Sequence, residues 1–245
     1  MNKKSISKIL TFCTLFFYSF FLYGESSSPE ITVFSKEKDF LYSYQLENGF
    51  QIFFLEDLEN PLLKITYISK AGYSIQNKEN SGFPELAKNL FFQNCNLPKP
   101  KEIGLTSLSS DFKSDTAIFQ GVTTINNLEK ALEYFSVAAQ NPTFKDEILQ
   151  TEYLSLKNRT LENYNNELAY INSSIDSVIF TAPWKQDTVL YEGIINKYKT
   201  EEIRNKVLEI YNQFYTPDKS CIFITGAANP EKILDYGKKI FFKLE

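Results

Sequence analysis

The residues that could carry chemistry in this chain are acidic, basic and amide side chains, because the sequence contains no histidine. A nucleophile activated by an imidazole is therefore excluded. The segment SGFPELAKNLFF places Glu85 and Asn89 four residues apart, with Lys88 next to Asn89. In a helix this spacing puts a carboxylate and an amide on one face. Such a face is the clearest candidate site in the sequence.

Other common functional signatures are missing. The sequence has no G-x-G-x-x-G and no G-x-x-x-x-G-K motif, which excludes the usual phosphate-binding loops. Acidic pairs such as Asp146-Glu147 stand at predicted helix starts, where they favour the helix dipole rather than acid–base catalysis. The net charge of -4 is spread without a basic stripe, so we expect no nucleic-acid partner.

The elements that position this site begin with strands. The segment YSYQLENGFQIFFLED alternates apolar and polar residues around Asn48-Gly49, which is a strong signal for a β-hairpin. A second alternating strand begins at Pro61. Helix signals follow, with Ser81 placed to cap the helix and Pro84 in its first turn.

The remaining sequence predicts a strand pair at 103–124 and then mainly helices. Apolar periodicity and breakers place these helices at about 127–140, 144–180 in two pieces, 201–214 and 229–241, with a break at Pro183 and a buried strand, KSCIFITG, before the last helix. This order predicts an α+β fold with a mostly antiparallel sheet and helices packed on one face. The 43% hydrophobic content is sufficient for one domain core.

The N-terminus has the layout of a secretory signal peptide. A basic start, MNKKSISK, precedes an apolar run over 9–23, and small and polar residues follow. We predict a signal peptide at 1–24, a polar lead-in at 25–40 and one domain at 41–245. The protein is then exported, either periplasmic or secreted. An uncleaved membrane anchor is the alternative, although the apolar run is short for a membrane span.

Two cysteines, Cys95 and Cys221, lie outside the predicted signal peptide. In an exported protein they can form a disulfide. The other interpretation, which we favour, is two buried thiols.

Four segments resemble the insulinase/pitrilysin zinc metallopeptidases in their order. LENGFQIFF resembles the opening hairpin, AGYSIQNKENSG the loop before the zinc helix, NPTFKDEILQTE the start of the helix that carries the third zinc ligand, and FYTPDKSCIFITGAANPEKI the late loop, strand and helix. They span about residues 40–242. The resemblance implies that this chain has the fold of one half-domain, whereas peptidases of this family contain two or four such domains.

The resemblance also assigns positions of the inverted zinc motif H-x-x-E-H. Glu85 and Asn89 stand where the two histidines would be, and Lys88 stands where the catalytic glutamate would be. A lysine cannot take a proton from a metal-bound water at neutral pH unless its pKa is strongly lowered.

The third ligand of the family is a glutamate on the next long helix. It falls near Arg159 if Glu152 is aligned with the glutamate that precedes the ligand by seven residues. A shifted register would offer Glu162 instead.

The residues present make a poor metal site. The best set is Glu85, Asn89 and Glu162, whose oxygen donors favour Mg²⁺ or Ca²⁺ over zinc. Lys88 would add a positive charge beside any cation. We therefore expect no catalytic residue, no metal and no other cofactor.

The opposite charges at Glu85 and Arg159 suggest a replacement for the metal. If the two side chains face each other, an ion pair would hold the two helices in register. The plain alternative is that they are ordinary solvated charges, including a local Glu85–Lys88 pair.

The function implied is that of an exported pseudo-peptidase, a binding or partner subunit without catalysis. By resemblance, its partner is a second peptidase-like half-domain in a heterodimer or homodimer, and a peptide could add to a sheet edge. The alternatives are an active metal-dependent endopeptidase with a displaced metal site and a structural or surface-interaction domain. The candidate peptide-binding edge contains Leu105, Thr106, Ser107, Leu108 and Ser109.

Overall fold

The computed structural model describes residues 32–36, 39–140, 142–179 and 192–241. The predicted signal peptide at 1–24 and the predicted break at Pro183 lie outside these ranges. No helix within them combines the length and hydrophobicity that a membrane span requires.

The strands of the described residues form one sheet. They are β1 (Thr32–Lys36), β2 (Asp39–Gln45), β3 (Gln51–Glu56), β4 (Leu62–Ser69), β5 (Thr106–Phe112), β6 (Ala117–Thr124) and β7 (Ser220–Gly226). Their order is β1-β2-β3-β7-β4-β6-β5. Among the described strands only β3 and β7 pair in parallel, so the sheet is mostly antiparallel, as predicted.

The Asn48-Gly49 hairpin is confirmed. Strands β2 and β3 pair antiparallel, and Gln45 lies opposite Gln51 at the turn. Gly49 has a φ of 88°, a left-handed conformation that glycine adopts without steric penalty. The structure adds β1 within the predicted lead-in at 25–40. This strand is too short for its alternation to show in the sequence.

The helices follow the predicted positions closely. They are α1 (Phe83–Leu90), α2 (Leu128–Ala139), α3 (Asp146–Tyr164), α4 (Glu167–Ile179), α5 (Glu192–Ile195), α6 (Thr200–Phe214) and α7 (Pro230–Phe241). The short α5 was not predicted, because four residues carry no visible period.

The core lies between one face of the sheet and the helices. In β4, alternate residues from Leu63 to Ser69 are buried, and β6 and β7 show the same alternation. Phe91, directly after α1, stacks on Phe119 of β6 with ring centroids 3.6 Å apart. This arrangement confirms the predicted α+β class with helices on one face.

The two cysteines are free thiols in the structure. Burial raises the pKa of the half-buried Cys221. Cys95 is exposed, so the expectation of two buried thiols is wrong for this residue. It lies in a loop after α1, where the chain has already left the core.

Candidate functional site

The candidate site is built on α1, and a turn that contains a glycine precedes this helix. Gly82 precedes the helix with a φ of 84°, and its N–H donates to Oε1 of the buried Gln76 at 2.5 Å. Pro84 lies in the first turn, as predicted. Ser81 is not the cap, because its Oγ accepts a hydrogen bond from the N–H of Gly193 at 2.7 Å. The serine hydroxyl thus ties the loop before α1 to α5.

Neighbouring helices hold α1 firmly in place. Leu86, Ala87 and Leu90 are fully buried, and α1 packs against α3, α6 and β5. The hydroxyl of Tyr211 in α6 donates to the carbonyl oxygen of Ala87 at 3.0 Å. The polar residues of α1 therefore have a fixed position relative to α3 and β5.

Glu85 and Arg159 form an ion pair, which is the first of the two arrangements that the sequence left open. Nη2 of Arg159 in α3 lies 2.5 Å from Oε1 of Glu85 in α1. The Glu85 side chain is only 8% exposed, whereas the Arg159 side chain is 52% exposed. The guanidinium therefore covers a buried carboxylate and links α1 to α3.

Lys88 lies half-buried one turn after Glu85. Burial lowers the pKa of its ammonium group, and the nearby Arg159 guanidinium lowers it further. The carboxylates of Glu85, Asp111 and Glu152 act in the opposite direction without cancelling the effect of burial. Lys88 thus lies among charges from three elements, α1, β5 and α3.

The other two predicted site residues are less enclosed. Asn89 is half-buried in α1, and Glu162 is exposed one turn beyond Arg159 in α3. Of the residues that the resemblance assigned to the zinc motif and the third ligand, the structure brings Glu85, Lys88 and Arg159 together. It adds Asp111, whose place beside Lys88 depends on tertiary structure and has no signal in the sequence.

These residues do not fit the zinc ion that the resemblance to zinc peptidases implies. A catalytic zinc site needs nitrogen, sulfur or carboxylate donors around an open position. Here the Glu85 carboxylate already binds a guanidinium, and an ammonium lies next to it. The described residues contain no group of three or more Cys, Asp or Glu placed to hold a metal ion. A dication would therefore meet two positive charges and too few donors.

The candidate peptide-binding edge is at the end of the sheet. Strand β5 has one neighbour among the described strands, β6, so its other edge faces away from the sheet. Thr106 to Ser109 belong to this edge strand, whereas Leu105 precedes it and is 1% exposed. The prediction that Leu105 belongs to the peptide-binding edge is therefore wrong, because its side chain packs near Gly121 in the core.

An irregularity divides the edge strand. Its register with β6 shifts between Thr106 and Ser109, and Ser107 has a φ of 53°. Such bulges are common at sheet edges and beside functional sites. Regular pairing with β6 runs from Ser109 to Phe112.

Comparison with solved structures shows that the fold is that of a peptidase half-domain. The chain is similar to a protease from Helicobacter pylori, with a TM-score of 0.71, 17% identity and coverage of 89% of this chain and 51% of that one. It is also similar to a protein from Alicyclobacillus acidocaldarius described as an M16-like peptidase, with a TM-score of 0.70, 12% identity and coverage of 86% and 51%.

These similarities support the insulinase-like fold that the sequence predicts. The chain spans about half the length of the solved structures it matches. At these identities the likeness concerns the fold alone. No protein-family model matches the sequence, and no curated protein matches it.

The Glu85–Arg159 pair should stabilise the protein measurably. We expect a double-mutant cycle with Glu85→Met and Arg159→Met to give a coupling free energy of about 1 kcal/mol, because one partner is buried and the other half-exposed. Urea unfolding of the four proteins measures it, and added salt should reduce it.

The exposed pair Lys99–Glu102, at 3.5 Å, is a matched control for this cycle. A cycle with Lys99→Met and Glu102→Met should give a coupling near zero. A coupling near zero for Glu85 and Arg159 as well would show that their contact does not stabilise the fold.

Lys88 should destabilise the protein at neutral pH. Because folding lowers its pKa from 10.5, the folded state binds the proton less well than the unfolded state. The resulting loss of folding free energy is complete at pH values below the pKa of Lys88 in the folded state. It disappears as the pH rises from that pKa to 10.5, the value in the unfolded state. Lys88→Met should therefore unfold at higher urea than the unchanged protein at pH 7, by a margin that narrows towards pH 10.

The control is Lys130→Met, at an exposed lysine of α2. It should change the free energy of unfolding by less than about 0.5 kcal/mol. A Lys88→Met variant that is less stable than the unchanged protein at pH 7 would contradict the prediction.

Proposed function

We propose that this chain is an exported peptidase-like protein without metal catalysis that acts as a binding or partner subunit. The observation that carries the proposal is the Glu85–Arg159 ion pair. It joins the two helices that would share a metal in a peptidase of this fold, and it occupies the carboxylate that a metal would need.

Peptide hydrolysis by the metal route needs a nucleophilic water and a base to deprotonate it. The position of that base holds Lys88, which is positively charged when protonated and opposes a metal cation. A site without the metal, the base and the imidazoles can bind polar groups but has no means to activate water.

The sheet edge supports the binding part of the proposal. β-strand addition uses backbone N–H and C=O groups, which every sequence provides. The exposed residues from Ser109 to Asp111 lie in the regularly paired part of the edge strand. An extended peptide can therefore pair here even though the zinc chemistry is lost.

The partner part of the proposal has two supports. The first is that the chain spans about half the length of the peptidases it resembles in structure. The second is α4, where apolar side chains recur at the spacing of a helix-packing seam and remain exposed within the described residues. These exposed residues are Leu168, Ile171, Ile175, Val178 and Ile179. We propose that a second peptidase-like half-domain covers this seam.

Export is proposed on the sequence of the N-terminus, with its basic start and apolar run. A periplasmic or secreted location follows if residues 1–24 are removed. Mass spectrometry of the protein from its natural host tests this, since the mature chain should begin near residue 25.

Restoring the zinc motif tests whether the fold holds these residues at the metal position. We expect the variant with Glu85→His, Lys88→Glu, Asn89→His and Arg159→Glu to bind about one zinc ion per chain, because two imidazoles and a carboxylate then converge. The unchanged protein should bind none above background. Metal analysis after dialysis measures both.

The matched control for this experiment carries the same substitutions except Asn89→His. It has one imidazole and should lose zinc on dialysis. Stoichiometric zinc in the unchanged protein, together with chelator-sensitive peptide cleavage, would instead establish the active endopeptidase alternative.

A partner that covers α4 should be sensitive to charge on that helix. We expect the chain to form a complex of about twice its mass, either with itself or with a half-domain of the same fold that carries H-x-x-E-H, and Ile175→Glu should weaken it at least tenfold. Sedimentation measures the mass and the affinity.

Val137→Glu provides the control, because Val137 is an exposed apolar residue on a different helix, α2. It should leave the association unchanged. A chain that stays monomeric alone and in every such mixture would favour a structural or surface-interaction domain over a partner subunit.

A further inference from the structure

The Lys88 ammonium is the most unusual group in the candidate site. It is half-buried, and within the described residues it has neither a hydrogen bond nor an ion pair. A partly buried charge without a partner opposes folding, and a ligand that supplies the missing acceptor relieves this cost.

The neighbouring carboxylates do not supply that acceptor. Glu85 is bound to Arg159 at 2.5 Å, and the exposed Asp111 is bound to Lys113 at 2.7 Å. Glu152 has the weakest influence on Lys88 of the three carboxylates. The ammonium therefore lies close to the edge strand with its strongest neighbours already neutralised by other cations.

The position of Lys88 relative to the sheet edge defines which ligand could bind beside it. Helix α1 packs against β5, and Lys88 and Asp111 influence each other electrostatically across this contact. The half-exposed Arg159 guanidinium, on α3, also lies near enough to Lys88 to lower the pKa of its ammonium group. A ligand along β5 at Asp111 would thus meet the Lys88 ammonium, with the Arg159 guanidinium close to that ammonium.

The short length of the regular edge favours the binding of the end of a peptide over the binding of its middle. Pairing with β6 is regular only from Ser109 to Phe112, and the bulge around Ser107 interrupts the edge beyond it. A long extended segment would lose pairing at the bulge, whereas the last few residues of a peptide fit the regular part.

We infer that Lys88, with Arg159 beside it, binds the C-terminal carboxylate of a short extended peptide that pairs with β5. This inference rests on the peptide binding proposed above and names the class of peptide. A carboxylate accepts charge-assisted hydrogen bonds from both cations, which are stronger than those to a neutral amide. The same carboxylate chemistry could come from an aspartate or glutamate side chain, which the experiment distinguishes.

The experiment uses random peptide libraries of about eight residues, a length that exceeds the regular edge. The first library lacks Asp and Glu and has a free C-terminal carboxylate. The second is identical but amidated at the C-terminus. The third is amidated and carries one Asp at random positions. Each is passed over the immobilised chain at physiological salt, and mass spectrometry measures the retained peptide.

We expect the free-acid library to be retained about tenfold more than either amidated library. Lys88→Met should abolish this preference while the variant remains folded by circular dichroism. Lys130→Met, the exposed-lysine control, should keep it. This pattern supports the inference.

Equal retention of the free-acid and amidated libraries would overturn the inference and leave peptide binding at β5 intact. Equal retention of the free-acid and Asp-containing libraries would overturn the choice of a chain end. Retention of none of the libraries would overturn both the inference and the proposed peptide binding. A preference for the free acid that survives in Lys88→Met would show that another group binds the carboxylate.

Discussion

The contact between Glu85 and Arg159 is the constraint on which the candidate site depends. It joins α1 to α3 through a buried carboxylate that would otherwise oppose folding. A metal ion could do the same work by drawing donors from two helices together. An ion pair achieves the link with side chains of the chain itself, so the arrangement does not depend on a bound ion. The position of Glu85 also determines where Lys88 lies, because Glu85 and Lys88 both project from the short, well-packed α1.

Packing explains why α1 can hold this charged cluster without losing its place. Its apolar residues are fully buried, and hydrogen bonds from Tyr211 and to Gln76 fix its C-terminal half and its start. A helix anchored this well tolerates one unpaired ammonium, since the local penalty is small beside the apolar area that the helix buries. Stability alone would favour a neutral side chain at position 88, so a binding role gives the lysine a physical reason.

Local signals account for what the sequence predicts well. Asn48-Gly49 specifies its hairpin, and the glycine and proline around α1 specify a helix start, because these residues restrict the backbone directly. The facing of Glu85 and Arg159 follows from the resemblance combined with charge. Sequence reasoning misses the bulge at Ser107 and the closeness of Asp111 to Lys88. Both arise from the pairing and packing of β5, which no local pattern encodes.

The charges of the cluster connect the chemistry of zinc peptidases with the function proposed for this chain. In a zinc peptidase of this fold, a dication beside the sheet edge attracts the oxygen atoms of a bound peptide and activates water. Here the positive charge near β5 comes from Lys88, with Arg159 close to it, and both are covalently part of the chain. In the function proposed here, the cations attract peptide oxygens without activating water, because neither cation lowers the pKa of a bound water as a metal does. A free carboxylate, the most negative group of a peptide, gains most from such a site.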